Sequence, residues 1–535
     1  MNLYEDEKWT KEYFNGNLSS LTTEEIIGNV DAKREWIENR HQEKLFININ
    51  SYDAFTRKST LFLFGRRGTG KTALIKMMCY EIDEKILKTY KYYSLIDSEQ
   101  AYSDLSVQVS LSPLSQLDLK DLTIQLKTKW LWIIETAAMQ QILTNNYDKI
   151  GTNNDLKAIN SYLLAQGLLV EDVDCRKYEV IDPIKRLVES IVGEFAKISD
   201  KYFQVGTAIF KLSQIYFCSD FTTARKSLYN YLKNEKSFCV VIVDSIEPYE
   251  ANDKNFKALT SALMEAALSL DNNSDYGVVC KAAFPSEIEP HMAPLNISKS
   301  EPRSIFIRWG YGNLVSLLAK RYLNLIKENI NDAEYKELDD PYIARNFLYE
   351  YLPRTMKTKV LDEFDTIANI IRHTQKKPRQ VIYLVNTILT IAKNNGFSFK
   401  SIDEGTINDG IHARLDVPVK STTDMYSLIY PKCLDITNAV LVDKNNIMSM
   451  SELDSFLKSA HNIAGKSVFP YEIKRMLFEI GAIGTVRKRM NYKENKQIVE
   501  VLYEYQIKNM LPYNEQSVIA VHPMFYPGLR VVEHT

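Results

Sequence analysis

The residues best equipped for chemistry lie between Ser59 and Tyr80, in STLFLFGRRGTGKTALIKMMCY. Gly65, Gly68 and Gly70 let the backbone turn its N–H groups inward around a phosphate with no Cβ in the way. Lys71 can carry an ammonium to the outer phosphates of a nucleotide, and Thr72 offers a hydroxyl to Mg²⁺. Gly65-x-x-x-x-Gly70-Lys71-Thr72 is the spacing of a phosphate-binding loop, with Thr69 inside it and Ala73 just beyond. ATP with Mg²⁺ is the ligand that suits these residues.

Such a loop needs a carboxylate partner, and Asp244 is placed to be one. It ends the β-branched run FCVVIV (Phe238 to Val243), and a carboxylate at the C-terminal end of a strand beside the loop's strand can hold Mg²⁺. Thr72 and Asp244 are therefore the expected metal ligands. In many such enzymes a Glu directly after this Asp orients the attacking water; here that position is Ser245, and the nearest acid is Glu247. Two readings stay open: Glu247 serves as the base, or ATP is turned over slowly as a switch. Ser286, after GVVCKAAF (Gly277 to Phe284), is placed to sense the last phosphate. Arg303 precedes SIFIRW (Ser304 to Trp309) and is the only arginine between Ser286 and that strand.

These residues need strands and helices to hold them. Leu61 to Phe64 reads as a short buried strand, and Leu74, Ile75, Met77 and Met78 as the apolar face of the helix after the loop. The alternation in SVQVSLSPL predicts a second strand at about Ser106 to Leu111. A helix is expected from about Asp31, with Gly28, Asn29 and Val30 candidates for base contact. The long stretch between Thr72 and Asp244 predicts a helical insertion at about 116–235, including WLWIIETAAMQQIL and DPIKRLVESIVGEFAKI.

At 535 residues and 45% hydrophobic content the chain exceeds one core, and two to four domains are expected. Its net charge of −2 creates no global field toward nucleic acid or an anionic membrane. The six cysteines are scattered with no CxxC, which fits reduced core residues and no structural zinc. The start MNLYEDEKWTKEYF does not resemble a secretion signal, and no window approaches twenty uncharged apolar residues, so a cytoplasmic protein without a membrane span is expected.

The order of P-loop strand, Asp-ended strand, polar-ended strand, final strand and helical lid resembles the AAA+ superfamily, in particular the branch that joins origin-recognition initiators with STAND signalling ATPases. Further stretches carry it: IRWGYGNLVSLLAKRYLNLI, similar to the helix that opens the lid; KKPRQVIYLVNTIL, with Pro378-Arg379; and a block from about Asn445 (MLFEIGAIG, TVRKRM, VLYEYQI, VHPMF) that is similar to a winged helix. FGRRGTGKTAL also resembles a bacterial group of P-loop ATPases found among anti-phage and mobile-element genes.

The resemblance implies an α/β fold: a P-loop AAA+ core with a parallel sheet, a large helical insertion, an all-helical lid and a C-terminal winged-helix domain. The expected boundaries are an N-terminal arm at 1–30, core at 31–303, lid at 304–415, linker at 416–444 and winged helix at 445–535. Arg379 takes the sensor-2 role, reaching phosphates from its own subunit's lid. Arg303 becomes an arginine finger for a neighbour's site, so a homo-oligomer is implied. Arginine suits both places because its charge is fixed and its planar fork matches phosphate oxygens. The Val243-Asp244-Ser245 ending also occurs in RecA-like ATPases, but those lack an all-helical lid and a trailing winged helix.

The function implied is an ATP-binding and ATP-hydrolysing switch that assembles or activates a protein partner, in bacterial anti-phage defence. The alternative is a DNA-binding loader or remodeller. Arg487, Lys488 and Arg489 in the expected wing, with Lys493 and Lys496 nearby, can lie along duplex phosphates. Glu494, Glu500 and Glu504 leave that block only slightly positive. A small-molecule kinase is disfavoured because no compact acceptor lid follows the core.

Overall fold

The computed structural model describes residues 25–38, 42–96, 109, 116–172, 177–186, 219–244, 254–271, 276–292, 300–326, 330–358, 363–397, 402–427, 429–464, 469–491, 496–506 and 514–533. The chain forms two compact units, one of Asn50–Arg66 and Lys71–Ile307, the other of Met1–Ile49, Arg67–Gly70 and Arg308–Thr535.

The unit containing Lys71–Ile307 is built on five parallel strands: β1 (Phe62–Gly65), β2 (Tyr92–Ile96), β3 (Phe238–Val243), β4 (Gly277–Pro285) and β5 (Ser304–Phe306). Their order across the sheet is β2-β3-β4-β1-β5. Parallel strands covered on both faces read as near-continuous apolar runs, as β1 and β3 do, while β4 is apolar except for the buried Lys281. Phe284, Phe64 and Phe306 stand in register on adjacent strands, with ring centroids 5.5 and 5.1 Å apart. Each such pair adds about 1 kcal/mol beyond area burial, so this row clamps the strand from which the glycine loop springs. The glycine loop after β1 and Asp244 after β3 sit on an α/β core with a parallel sheet, the fold class expected from the sequence.

Three details differ from the sequence reading. The strand paired with β3 is Tyr92–Ile96. Of the stretch expected to form it, Ser106 to Leu111, only Val109 is among the described residues, and it is helical. The Asp244 strand is not beside the P-loop strand, because β4 lies between them. The fifth strand is short and ends at Phe306, before Trp309.

Helix α1 (Lys71–Asp83) follows the glycine loop, and α2 (Leu119–Asn145) packs on both β2 and α3 (Lys254–Asp271). The Trp130 indole donates to the Leu259 carbonyl at 3.0 Å, and the Asn146 amide, just past α2, donates to the Tyr92 hydroxyl at 3.2 Å. The first helix of the expected insertion is thus part of the core's helical layer. Its apolar residues run all round its surface, as a helix covered on several sides requires. Beyond it come Asn154–Ala165, a hairpin of Leu169–Asp172 with Lys177–Val180, and Ser219–Asn234. Glu135, buried on α2, accepts from Arg225 Nε and the Tyr229 hydroxyl, both at 2.8 Å.

The other unit begins with residues 25–49, which the sequence reading divides between an arm and the core. Here they pack with α4 (Tyr311–Ile326) and α5 (Pro378–Asn394). Asn386 grips the backbone on both sides, accepting from Ile27 N–H at 2.8 Å and donating to the Gly28 carbonyl at 3.0 Å. Arg321 of α4 donates to the Ile27 carbonyl at 2.9 Å and holds Glu35 through two bonds of 2.8 and 3.2 Å, with both side chains buried. A Cβ on Gly28, whose φ is +113°, would stand 2.3 Å from Arg321 Nη1, so the segment closes on these helices only because position 28 is glycine.

The stretch 416–444, expected as a linker, carries two helices, α6 (Asp416–Ser427) and α7 (Cys433–Leu441), each with buried residues. The C-terminal block contains α8 (Met450–Ala464), α9 (Pro470–Glu479) and an antiparallel sheet of β6 (Ile447–Ser449), β7 (Ile483–Asn491), β8 (Lys496–Leu502) and β9 (Val518–Val521) in the order β6-β9-β7-β8. No described helix is long and apolar enough to cross a membrane.

Candidate functional site

In the unit of the parallel sheet, the loop leaves β1 at Gly65, opposite Pro285 of β4. Lys71 opens α1, and its ammonium donates to the Gly65 carbonyl at 2.8 Å, closing the loop's two ends on each other. Thr72 and Ala73 occupy the first turn of α1 and are half-buried. The N–H groups of that turn have no earlier helical carbonyl to bond, which gives the helix start an attraction for anions.

Asp244 follows β3 and continues its ladder, donating its N–H to the Ile96 carbonyl at 3.0 Å. Only 4% of it is exposed. Ser286, half-buried, follows β4, the strand directly beside the P-loop strand, and starts the turn Ser286–His291. Glu287, next to it, is buried, and the sequence reading did not single it out. Ser245 and Glu247 lie outside the described residues.

The tip of the loop, Arg67–Gly70, belongs to the other unit. Gly68 and Gly70 have φ of +84° and +91°, where an L side chain is strained. Two consecutive carbonyls at this tip are held from outside. Arg379 N–H, in the first turn of α5, donates to the Gly68 carbonyl at 3.3 Å, and the Trp309 indole donates to the Thr69 carbonyl at 2.8 Å. The Arg379 stem lies over Gly68, and its Nε donates to the Val30 carbonyl at 3.2 Å. Gly28 and Val30 are thereby tied to α5, and Arg379 is brought to the loop tip.

Arg303 lies apart from the loop. It immediately precedes β5, its carbonyl accepts from Leu61 N–H at the start of β1, and its guanidinium is ion-paired with Asp271 at the end of α3. It therefore sits at the end of the sheet where β1 and β5 begin, whereas the loop leaves β1 at its opposite end. Within its own unit it ties β5 to α3.

In the C-terminal block, Arg487, Lys488 and Arg489 lie on β7, paired with Glu500, Val499 and Ile498 of β8. Arg487 is exposed and stands directly across from Glu500, so a carboxylate offsets its charge. Lys493 and Glu494 lie outside the described residues.

Comparison with known proteins adds one family match. Residues 31–102 match the ORC-CDC6-like family model. That span includes the whole glycine loop and β2, and stops short of Asp244 and Arg379. Among solved structures, the chain is similar to the Orc1 protein of Aeropyrum pernix, determined in complex with DNA, at 11% identity, over 86% of this chain and 89% of that one, with a TM-score of 0.30. No curated protein matches.

Proposed function

We propose that this chain is an ATP-binding and ATP-hydrolysing molecular switch that assembles or activates a protein partner, and that its setting is bacterial anti-phage defence. The observation that carries the ATPase reading is the loop itself: glycines with positive φ, a helix starting at Lys71, and a buried Asp244 closing a strand of the same parallel sheet. The donor set also fits Mg²⁺, since a threonine hydroxyl and a carboxylate are the hard oxygen ligands it takes. Thr72 and Asp244 would hold the ion, which supplies neutralising charge for the phosphates.

In this reading the loop's N–H groups and the start of α1 bind the inner phosphates, and Lys71 adds a mobile positive charge farther out. Arg379 contributes a second cation from the lid helix, already fixed against the loop tip. Asp244 would hold the ion together with Thr72, and Glu247 would orient the attacking water; if it does not, turnover would be slow and the protein would act as a switch. The family match over residues 31–102 supports nucleotide binding, and the partner role rests on the sequence resemblance.

The test is light scattering after size exclusion, run without nucleotide, with ADP and with a non-hydrolysable ATP analogue, with duplex DNA as a further arm. A switch changes mass or shape with the analogue alone. Lys71→Ala removes a phosphate contact and should lose nucleotide binding. Asp244→Ala should keep more binding than turnover. Unchanged ATPase rates in both variants would overturn the assignment, and a DNA-dependent rate with no nucleotide-dependent assembly would favour a loader.

A further inference from the structure

We infer that Trp309 is a positioning residue for the glycine loop: its indole N–H, by holding the Thr69 carbonyl, aims the Gly70 N–H at the inner phosphates of a bound nucleotide. The inference rests on the nucleotide reading proposed above and assigns a residue to that site which neither the motif nor the family match includes.

The argument starts from the peptide group. In a planar trans peptide the carbonyl of one residue and the N–H of the next point in opposite directions. The Thr69 carbonyl and the Gly70 N–H share one such plane, and the Gly68 carbonyl and the Thr69 N–H share the plane before it. Trp309 takes the first carbonyl at 2.8 Å, and the backbone N–H of Arg379 takes the second at 3.3 Å. Each carbonyl is turned toward its donor, so the N–H that shares its peptide plane points the opposite way, away from that donor.

Glycine at 68 and 70 makes the required twist cheap but does not select it, because glycine also populates other backbone regions freely. Something must choose the orientation, and these two bonds supply the choice. Trp309 suits the task because an indole N–H is donor only and cannot offer the loop a competing acceptor. It is half-buried. A pre-aimed N–H need not reorganise when an anion arrives, which is how fixed dipoles gain their effect.

The experiment uses the full chain with two replacements. Trp309→Phe keeps a ring and deletes the donor; the benzothiophene isostere of tryptophan at position 309 keeps the shape and deletes only the N–H. Kd is measured for ADP and for a non-hydrolysable ATP analogue, with melting followed without nucleotide and Lys71→Ala run in parallel. Losing one net hydrogen bond should weaken both nucleotides by the same factor, between about twofold and about tenfold, because the loop's N–H groups face the phosphates that ADP and ATP share. Melting without nucleotide should fall in the isostere by no more than that one hydrogen bond contributes, with the fold intact. In ¹⁵N-glycine-labelled protein the Gly70 amide proton should move downfield on ADP binding, and less so in the isostere. Wild-type affinity in the isostere while Lys71→Ala loses binding would overturn this inference and leave the nucleotide reading standing. Wild-type affinity in Lys71→Ala would overturn the reading itself.

Discussion

Gly68→Ala perturbs the loop tip while leaving every side chain of the candidate site in place. At φ +84° an L residue costs about 1–2 kcal/mol. The new Cβ would stand 3.1 Å from Arg379 Cβ and 3.3 Å from its Cδ. Arg379 Cβ is fixed to a helix backbone and cannot swing aside, so overpacking adds about 1–2 kcal/mol more. If the strain is relieved by moving the tip, nucleotide affinity falls by about 10²-fold. Gly396 separates the two causes, since its φ is +74° and nothing lies within 4 Å of its would-be Cβ. Gly396→Ala should therefore cost about 1 kcal/mol of stability and leave binding intact. Gly151, with open space and no positive φ in the strained range, should tolerate alanine on both counts. Titration of a fluorescent ATP analogue beside thermal melting reads all three. The reasoning fails if Gly68→Ala binds within about twofold of wild type, or if Gly396→Ala weakens binding as much.

Two buried lysines should respond oppositely to the same substitution. Burial pushes both Lys129 and Lys281 down to about 7 from lysine's ordinary 10.5. Lys281 donates to the carbonyls of Phe55, Arg57 and Thr60, so Lys281→Met strands three acceptors and should destabilise by about 1–3 kcal/mol. Lys129 has no such partner among the described residues, so Lys129→Met should stabilise by about 1 kcal/mol or more. Because the folded lysine loses its proton at lower pH than the unfolded one, wild-type stability gains from Lys129 as pH rises from about 7 to 10.5, and the advantage of Lys129→Met should shrink across that window. A constant difference in denaturation midpoints from pH 7 to 10 would contradict this. For Arg303, an arginine finger should leave ATP binding intact in Arg303→Ala, abolish turnover, and regain part of it on mixing with Lys71→Ala subunits, whereas Asp271→Asn should preserve turnover. Equal losses of melting temperature with normal turnover in both variants would make the Arg303–Asp271 pair a structural tie only.

The readable parts of the sequence were those whose physics is local. Gly65 to Thr72 announces itself because phosphate, backbone and helix start all meet within a few residues. The strands ending at Asp244 and before Ser286 are legible because two-sided burial favours near-continuous apolar runs, which the single Lys281 does not hide. Tyr92–Ile96 was missed since YYSLI is half polar on its face, while SVQVSLSPL shows a cleaner alternation. The position of β4 between β3 and β1 could not be read from any single strand, because neighbours in a parallel sheet are chosen by connections far apart in the chain. The same holds for Trp309 and for Asn386, whose roles depend on backbone groups hundreds of residues away. Arg303 carried a charge that drew attention, yet its partner Asp271 lies on another element and left no local trace.

The grip of Asn386 on Ile27 and Gly28 has a consequence in time. The two ends of that bond are 359 residues apart. At about 5–20 residues per second of synthesis, Ile27 leaves the ribosome roughly 20 to 70 s before its partner exists. During that interval the backbone of residues 25–38 has neither Asn386 nor Arg321 to hold it, and Glu35 remains an ordinary solvated acid. The parallel-sheet unit, complete by Ile307, can close first, while the N-terminal segment stays open until α4 and α5 emerge. Contacts this distant in sequence are the slow ones in folding. The loop tip, held by Arg379 and Trp309, is therefore among the last parts of the chain to reach its final form, so the candidate nucleotide site is complete only in the finished molecule.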